Sequence, residues 1–284
     1  MRLRSLLFVP GDRPERMDKA LGTGADALIL DLEDSVAPSQ KAQARATVAQ
    51  FLRRTDVAVP RFVRINALGS GLAAADLAAV MVARPDALVL PKSMGAESIR
   101  DLDRHLAPFG KELPPILPIA TETPQALFTL GEYAAVAPRL AGLTWGVEDL
   151  SAALGAGTAR ESDQSFTEPY RLVRSLALFA AGAANVAPIE TVFPAFQNLA
   201  GLKQYAQRGM RDGFAGMLAI HPTQIAVINE AFTPSAESLE HARAVVALFA
   251  ANPGAGALAL DGAMLDAPHL QQALRLLSKV QDRQ

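Results

Sequence analysis

Two carboxylates, Glu122 and Asp149, each stand shortly after an apolar run in the 284-residue chain. If they meet in one site, together with water and a substrate oxygen, they suit octahedral Mg²⁺, with Mn²⁺ as a second candidate. They could instead cap helices or pair with arginines and lysines at a rim, so the residues alone leave metal binding open. Zinc fits less well, because His221 is the only histidine that ends such a run.

Arg64 lies inside an otherwise apolar run, R-F-V-R-I-N, where burying an arginine is costly unless it meets an anion. Its planar set of donors could hold a carboxylate or a developing oxyanion, or form a structural salt bridge with Glu33 or Asp34, and both could hold at once. Lys92 ends another run, A-L-V-L-P-K. It could be a Schiff-base nucleophile, but a lysine at the very end of a strand more readily keeps its charge and binds an anion.

Eight short apolar runs, separated by longer amphipathic segments, must position these residues. The runs do not alternate apolar with polar residues, which is typical of parallel strands buried on both faces. Eight strands alternating with helices predict a closed (β/α)8 barrel of TIM type, whose strands all end at one mouth. An open doubly wound sheet alternates in the same way, but no G-x-G-x-x-G follows the first run. The predicted strands are Ser5–Pro10, Ala27–Asp31, Arg61–Asn66, Ala87–Lys92, Ile116–Thr121, Gly142–Gly146, Val186–Thr191 and Gly216–Pro222.

The pattern changes after the eighth run. Two helical segments, Ser235–Ala251 and His269–Val280, flank a predicted loop over Asn252–Pro268. We therefore predict a barrel domain over residues 1–232 and a C-terminal helical extension over residues 233–284. The extension would act as a lid or contact a neighbouring subunit.

Composition excludes several other classes of protein. The 27 basic residues against 29 acidic ones give a net charge of −2, so no basic footprint for nucleic acid exists. The absence of cysteine excludes disulfides, thiolate metal sites and cysteine nucleophiles. No stretch approaches the roughly 18 apolar residues of a membrane span, and no G-x-S-x-G motif supports a hydrolase triad. We therefore expect a cytoplasmic protein.

Eight short motifs, read in order, carry a resemblance to a known family. The chain resembles the citrate lyase beta-subunit-like family, which includes malyl-CoA and citramalyl-CoA lyases, over essentially its whole length. The motifs are R-S-L-L-F-V-P-G from Arg4, D-L-E-D-S-V from Asp31 with Lys41 and Arg45 following, R-I-N from Arg64, L-P-K from Leu90, I-A-T-E-T-P from Ile119, G-V-E-D-L from Gly146, A-I-H-P-T-Q-I from Ala219 and G-A-M-L-D-A-P from Gly262.

The resemblance implies a Mg²⁺-dependent TIM barrel that cleaves or forms a carbon–carbon bond between a 2-oxo acid and an acetyl thioester. Glu122 and Asp149 then correspond to magnesium ligands, with Glu122 also at the substrate, and Arg64 to a substrate-binding arginine. Asp266 corresponds to an acid/base residue. It lies on a C-terminal segment that, in a homotrimer, reaches the neighbouring subunit's site.

Further site residues follow from the same resemblance. Glu33 and Asp34 would assist catalysis by ordering the substrate-binding arginine and metal-bound water, and Lys92 would bind substrate. Arg13 and Lys19 would contact the phosphates of the thioester carrier, which could be coenzyme A or an acyl-carrier protein. A solvated helix surface accounts for these two basic residues equally well.

Two alternative functions use the same residues. A malyl-CoA thioesterase or malate-synthase-like enzyme would let water attack the thioester, and a citrate lyase subunit would act only with its partner subunits and carrier protein. The resemblance departs at Ile189-Glu190, where many relatives have Ile-Asp. We expect the longer Glu190 side chain to change the floor of the pocket and, with it, the choice of substrate.

Overall fold

The eight apolar runs form eight parallel strands whose residues are nearly all buried, which explains the missing alternation. Several strands end before their run does, so that Lys92 and Glu122 lie in the loops beyond β4 and β5. The computed structural model describes residues 1–281, and its barrel strands are β1 (Ser5–Pro10), β2 (Ala27–Asp31), β3 (Arg61–Arg64), β4 (Ala87–Leu90), β5 (Ile116–Pro118), β6 (Leu143–Thr144), β7 (Pro188–Glu190) and β8 (Gly216–Ala219).

The strands form one sheet in the order β5-β4-β3-β2-β1-β8-β7-β6, and its two edges meet. The amide N–H of Ala120 donates to the carbonyl of Thr144 at 2.9 Å, and that of Ala141 donates to Ile116 at 2.8 Å. These bonds bring the sheet round into a nearly closed barrel. The predicted TIM-type (β/α)8 fold is therefore confirmed, and the open sheet is excluded.

Strand register decides which side chains meet at the mouth of the barrel. Pro10, Asp31 and Arg64 are paired across β1, β2 and β3. Residues paired on adjacent strands point to the same face, so Asp31 lies beside Arg64. The barrel interior is filled by buried apolar side chains that include Leu6, Ile29, Phe62, Val89, Leu117, Ile189 and Leu218.

Helices cover the outside of the barrel and bury apolar faces against the strands. Among residues 1–281, no helix is both long enough and apolar enough to cross a bilayer. A 3₁₀ segment, Pro124–Arg139, occupies the connection between β5 and β6. The helices are α1 (Pro14–Leu21), α2 (Lys41–Leu52), α3 (Ala73–Val80), α4 (Gly95–Leu106), α5 (Glu148–Ala153), α6 (Glu168–Ala183), α7 (Leu199–Asp212) and α8 (Gln224–Ala231).

The chain divides into two compact units, Leu3–Phe232 and Met1–Arg2 with the residues from Thr233 onward. The second unit has its own small apolar core. Residues 282–284 of the predicted extension lie outside the described residues. The elements of this unit are α9 (Ala236–Ala251), β9 (Ala257–Leu260), β10 (Ala263–Asp266) and α10 (Ala267–Gln281).

The segment predicted as a loop contains an antiparallel hairpin of β9 and β10. Its turn residues, Asp261 and Gly262, have φ of 51° and 81°. Positive φ at both positions is the requirement of a tight hairpin turn, and Asp-Gly is its usual sequence. The hairpin also moves the start of the last helix to Ala267, two residues before the predicted start at His269.

Candidate active site

A cavity of about 450 Å³ opens at the carboxyl ends of the barrel strands, and we call it the mouth cavity. It gathers side chains from the ends of β1, β2 and β3 and from the loops after β5, β6 and β7. Acidic groups outnumber basic ones in its wall, and apolar groups fill the remainder. Its lining includes Phe8, Arg16, Asp31, Asp34, Arg64, Ile119, Glu122, Trp145, Gly146, Glu148, Asp149, Thr191 and Leu218.

Arg64 is held rigidly in this cavity. Its Nε and Nη2 donate to the two carboxylate oxygens of Asp31, each at 2.7 Å. Its Nη1 lies 3.1 Å from Oε2 of Glu33 and 3.8 Å from Oδ2 of Asp34, and its guanidinium packs over the ring of Phe8. A guanidinium has five N–H donors, of which Asp31 takes two. The remaining donors can hold a substrate carboxylate or oxyanion.

The Asp31–Arg64 pair stays ionised although both side chains are largely buried. Burial acts to raise the pKa of the Asp31 carboxyl, but the charge and hydrogen bonds of Arg64 outweigh it and hold the pKa below its usual value. Burial also acts to lower the pKa of Arg64, and the charges of Asp31 and Glu33 reverse this. Loss of either partner would leave a buried charge without compensation.

Lys92 joins two of the acidic residues. Its Nζ donates to Oε1 of Glu33 at 2.9 Å and lies 3.3 Å from Oδ1 of Asp149. Burial acts to lower the pKa of Lys92, but the hydrogen bond and charge of Glu33 outweigh it and raise the pKa. A nucleophilic lysine must lose its proton, so this geometry disfavours the Schiff-base interpretation.

Glu122 is a buried carboxyl among other carboxyls. It is 4% exposed, and its Oε2 accepts a hydrogen bond from the backbone N–H of Lys92, which has φ of 50°. Burial raises the pKa of Glu122 to about 8; the N–H of Lys92 opposes the rise, and the charges of Glu33 and Asp149 add to it. A cation beside Glu122 would therefore stabilise its ionised form.

The local backbone is shaped around Glu122. A Cβ at Gly146 would lie 2.8 Å from Cγ of Glu122 and 3.2 Å from Cγ2 of Ile119. Real Cβ contacts are longer than the first of these distances, so only glycine leaves room for the carboxyl at this place. The glycine of the G-V-E-D-L motif thus has a packing role that sequence reasoning did not give it.

The donor set fits a hard divalent cation. Glu122 and Asp149 both line the mouth cavity, and Asp149, in the first turn of α5, is 36% exposed. Within residues 1–281, no three acidic or histidine side chains form a complete metal cage. Mg²⁺ commonly binds through one or two carboxylates, with waters and substrate oxygens completing its shell. The two side chains therefore suit Mg²⁺ better than a metal that needs an all-protein cage.

A smaller cavity of about 340 Å³ adjoins the mouth cavity, and we call it the first-loop cavity. Lys19, predicted as a phosphate contact, lines it together with Arg16, which also lines the mouth cavity. Arg13 lines neither cavity; it is 56% exposed and lies 3.7 Å from Asp12. Sequence reasoning missed Arg16, whose signal was its place on α1 one turn beyond Arg13.

Two further residues that sequence reasoning left without a role hold the site in place. Asp31 is the bidentate partner of the substrate-binding arginine, as described above. Lys41 donates through Nζ to the carbonyls of Leu32 and Glu33, both at 2.7 Å, and to Oδ1 of Asn66 at 2.8 Å. These three bonds fix the loop that carries Glu33.

Glu190 does not form part of the lining of the mouth cavity, and its expected effect on the pocket floor and on the choice of substrate stays a prediction. Its carboxylate is fully buried behind Trp145 and accepts hydrogen bonds from Nε1 of Trp145 at 2.6 Å and Nε of Arg174 at 2.7 Å. Trp145 itself lines the cavity. Glu190 therefore acts on the cavity only through the indole that it holds.

Asp266 belongs to the second compact unit, at the end of β10. Its carboxylate is 39% exposed and lies 2.6 Å from Nδ1 of His269. Its role as an acid/base residue stays a prediction.

Comparison with known proteins bears on the whole chain. The family model for HpcH/HpaI aldolase/citrate lyase matches residues 4–222. A citrate lyase subunit beta-like protein of Mycobacterium tuberculosis is 37% identical over 96% of this chain and 94% of its own. A (3S)-malyl-CoA thioesterase of Cereibacter sphaeroides is 34% identical over 98% and 94%. A mitochondrial citramalyl-CoA lyase of Mus musculus is 32% identical over 97% and 85%.

The crystal structure of the protein CitE from Mycobacterium tuberculosis in complex with magnesium, acetoacetate and coenzyme A is similar throughout. It superposes with a TM-score of 0.81 at 34% identity and covers 97% of both chains. The fold, the family and the lyase class of enzyme predicted from the sequence are thereby confirmed. The chain belongs to the HpcH/HpaI aldolase/citrate lyase family.

Proposed function

We propose that the protein is a Mg²⁺-dependent carbon–carbon lyase. Its substrate would be a 3-hydroxyacyl thioester with a carboxylate on the hydroxyl-bearing carbon, of the citryl-, citramalyl- or malyl-CoA type. The products would be a 2-oxo acid and an acetyl thioester. The observation that carries the proposal is a single cavity lined by Arg64, Glu122 and Asp149. Asp31 takes only two of the five N–H donors of Arg64.

Glu122 and Asp149 would hold the Mg²⁺. The metal, when bound, would supply Lewis acidity to the hydroxyl and carboxylate oxygens of the substrate. The oxygen donors, the crowding of carboxylates around Glu122 and the magnesium in the related Mycobacterium tuberculosis structure support this assignment.

Arg64 would bind the substrate carboxylate or the oxygen of the thioester enolate through the donors that Asp31 leaves free. The substrate hydroxyl gives up its proton to solvent. As the carbon–carbon bond breaks, its electron pair passes to the acetyl thioester and forms an enolate, and the hydroxyl carbon becomes the ketone of the 2-oxo acid. Donors fixed in advance stabilise developing charge without reorganisation. Glu33 and Asp34 would keep the guanidinium in place, and Lys92 would keep Glu33 in place and face the substrate.

Asp266 would protonate the enolate carbon in cleavage and remove a methyl proton in synthesis. We assign this residue to the site of a neighbouring subunit in a homotrimer, with residues 233–284 acting as a lid. The G-A-M-L-D-A-P motif, shared with the family, supports this assignment.

The first-loop cavity would admit the thioester carrier. Arg16 and Lys19, both on α1, bring positive charge to it, as phosphates require, and Arg13 immediately precedes that helix. Coenzyme A is the favoured carrier, because it is bound in the related structure. An acyl-carrier protein, delivered within a complex of citrate lyase subunits, is the alternative.

The test is a lyase assay on citryl-, citramalyl- and malyl-CoA with and without Mg²⁺, following the 2-oxo acid and acetyl-CoA separately. We expect equimolar release of both from one substrate, abolished by a chelator and restored by Mg²⁺. Turnover that a chelator leaves unchanged would contradict the proposal, as would trapping of the substrate on Lys92 by borohydride.

Thioester hydrolysis is the second candidate, and the 34% identity to a malyl-CoA thioesterase favours it. The same assay separates the two functions, because hydrolysis releases free coenzyme A in place of acetyl-CoA. Release of coenzyme A and malate from malyl-CoA, with no 2-oxo acid, would support hydrolysis over cleavage.

Gly146→Ala tests the packing around Glu122. We expect the added methyl to displace the carboxyl and weaken Mg²⁺ binding by about 10-fold or more, since ligand orientation controls metal affinity. Calorimetric titration with Mg²⁺ measures the change. Gly182→Ala is the control, because a Cβ at that helical position meets nothing within 4 Å. Equal Mg²⁺ affinities in the two variants would refute the packing argument.

Mg²⁺ affinity is expected to depend on pH. With the pKa of Glu122 raised to about 8, the metal-free carboxyl is protonated below that pH, so Mg²⁺ must displace a proton. The apparent affinity should fall about tenfold per pH unit below that value and level off above it. Titrations in buffers of different ionisation enthalpy check this by counting the protons released. An affinity independent of pH, with no proton released, would contradict it.

A further inference from the structure

Asp266 and His269 form a close pair in the second compact unit. Nδ1 of His269 lies 2.6 Å from Oδ1 of Asp266. The backbone N–H of Asp266 also lies 3.2 Å from the same Nδ1 and can donate to it. One ring nitrogen therefore has both an acceptor and a donor within hydrogen-bonding distance.

These two contacts belong to two protonation states, because one nitrogen cannot donate and accept at once. With a proton on Nδ1, the ring donates to the carboxylate. Without it, the backbone N–H of Asp266 donates to Nδ1, just as the N–H of a capping residue donates to the side chain of the third helical residue in a capping box. The ring thus finds a partner in either state, and the proton can leave without leaving Nδ1 unsatisfied.

The proposed reaction needs such a proton. Asp266 must protonate the enolate carbon in cleavage, yet an aspartate at neutral pH carries no proton to give. Histidine is the side chain that exchanges protons in this range.

We propose that His269 supplies and recovers the proton that Asp266 transfers, an inference that rests on the proposed function. In cleavage, the Nδ1–H proton passes to the carboxylate of Asp266, and the carboxylic acid so formed gives a proton to the enolate carbon and becomes a carboxylate again. The neutral ring then takes a proton from solvent, which it reaches with 45% of its side chain exposed. In synthesis, the methyl proton follows the reverse path. His269 acts through Asp266 and is a positioning residue for the proton.

Other titratable groups lie around the pair. A groove of about 930 Å³ in the same unit is lined by His269 and by titratable groups of α9 and of the hairpin turn. Three of these groups are acidic and one is basic. They are Glu237, Glu240, His241 and Asp261.

Two substitutions separate proton supply from hydrogen bonding. His269→Gln can still donate a hydrogen bond to Asp266 but cannot titrate, whereas His269→Ala loses both functions. We expect each variant to lower kcat for cleavage by about 10- to 100-fold with little change in KM. Added imidazole should restore part of the rate in His269→Ala. His241→Gln, which changes another imidazole of the same groove, is the control and should leave kcat unchanged.

If His269 had only a structural role, its substitution would leave the pH dependence of kcat unchanged. The pH profile of kcat is therefore the decisive measurement. The wild type should lose cleavage activity as the pH rises through the range in which imidazoles titrate, and His269→Gln should lack that limb. Equal kcat and equal pH profiles in the wild type and His269→Gln would overturn the inference.

The Asp266–His269 pair can be tested independently of catalysis by nitrogen NMR, which follows the titration of the His269 ring in the full-length Asp266→Asn variant, expected to be inactive. Asp266→Asn removes the negative charge, so the His269 ring should lose its proton at a lower pH than in the wild type. An unchanged titration would overturn the pairing even if the lyase assay succeeds. The His269 titration could differ between the wild type and Asp266→Asn as expected while the wild type cleaves none of the three thioesters. That result would instead overturn the proposed function, and the proton-supply role with it.

Discussion

Arg64→Lys is expected to lower kcat/KM for cleavage by about 100- to 1000-fold, the loss typical of removing a fixed oxyanion donor. Lysine keeps the positive charge that Asp31 and Glu33 require, so the protein should still fold. It cannot donate to both oxygens of Asp31 and still offer donors to a substrate, because an ammonium lacks the planar fork of the guanidinium. The loss should appear in kcat if the donors hold the enolate oxygen, and in KM if they hold only the carboxylate.

Arg61→Lys is the matched control, on the same strand. Arg61 begins β3, away from the mouth, and donates to the backbone carbonyls of Leu52 and Arg54, each at 2.9 Å. This variant should keep kcat/KM within about twofold of the wild type, because Arg61 lies at the opposite end of the strand from the mouth cavity, where residues serve stability and not catalysis. If Arg61→Lys and Arg64→Lys lost activity equally, the loss would come from a disturbance of strand β3 and not from removal of the guanidinium donors.

Glu122→Gln is expected to weaken Mg²⁺ binding by more than about 100-fold and to abolish Mg²⁺-dependent turnover. Removing a metal ligand costs more affinity than removing a residue that only orients a ligand. The amide keeps the volume beside Gly146 and can still accept from the N–H of Lys92. Only the charge is lost. The thermal midpoint of the wild type should rise on addition of Mg²⁺, and that of the variant should not.

Without metal, the effect on stability should have the opposite sign. A carboxyl whose pKa is raised on folding, as that of Glu122 is, costs stability once the pH exceeds its ordinary value. At about pH 8 the metal-free Glu122→Gln variant should therefore melt above the metal-free wild type. Glu132→Gln, at an exposed glutamate of the neighbouring 3₁₀ segment, is the control for both measurements. A metal-free variant that melts below the wild type would contradict the burial of the Glu122 carboxyl among other carboxylates.

The fold and the principal charged residues could be predicted from the sequence because each depends on local pattern. Buried parallel strands leave continuous apolar runs, and polar residues placed at the ends of such runs must meet at one mouth. Glu122, Asp149 and Arg64 were found in this way, and the structure gathers them in one cavity.

The partner of Arg64 could not be found from pattern alone. Sequence reasoning named Glu33 and Asp34. In the structure, Asp31 accepts the hydrogen bonds from Nε and Nη2 of Arg64. Asp34 lies 3.8 Å from Nη1, and 58% of its side chain is exposed. The choice depends on the register between β2 and β3, which a shift of one residue would reverse. Strand register is a property of the assembled sheet, and the runs themselves do not contain it.

Arg16 and the β9–β10 hairpin were missed for different reasons. Arg16 faces the cavities only because α1 begins at Pro14, and the start of a helix sets which of its basic residues face inward. The hairpin depends on a two-residue turn at Asp261-Gly262, a signal that stands in the sequence but was passed over.

The position of Trp145 makes the protein its own optical probe. It is the one tryptophan of the chain, it is fully buried, and it forms part of the wall of the mouth cavity. Its indole is fixed by Glu190 and by edge-on contact with Phe166, with ring centres 5.1 Å apart. Fluorescence excited selectively at tryptophan therefore comes from a single residue at the site, and the binding of a colourless acid or a metal ion there can be followed without any label.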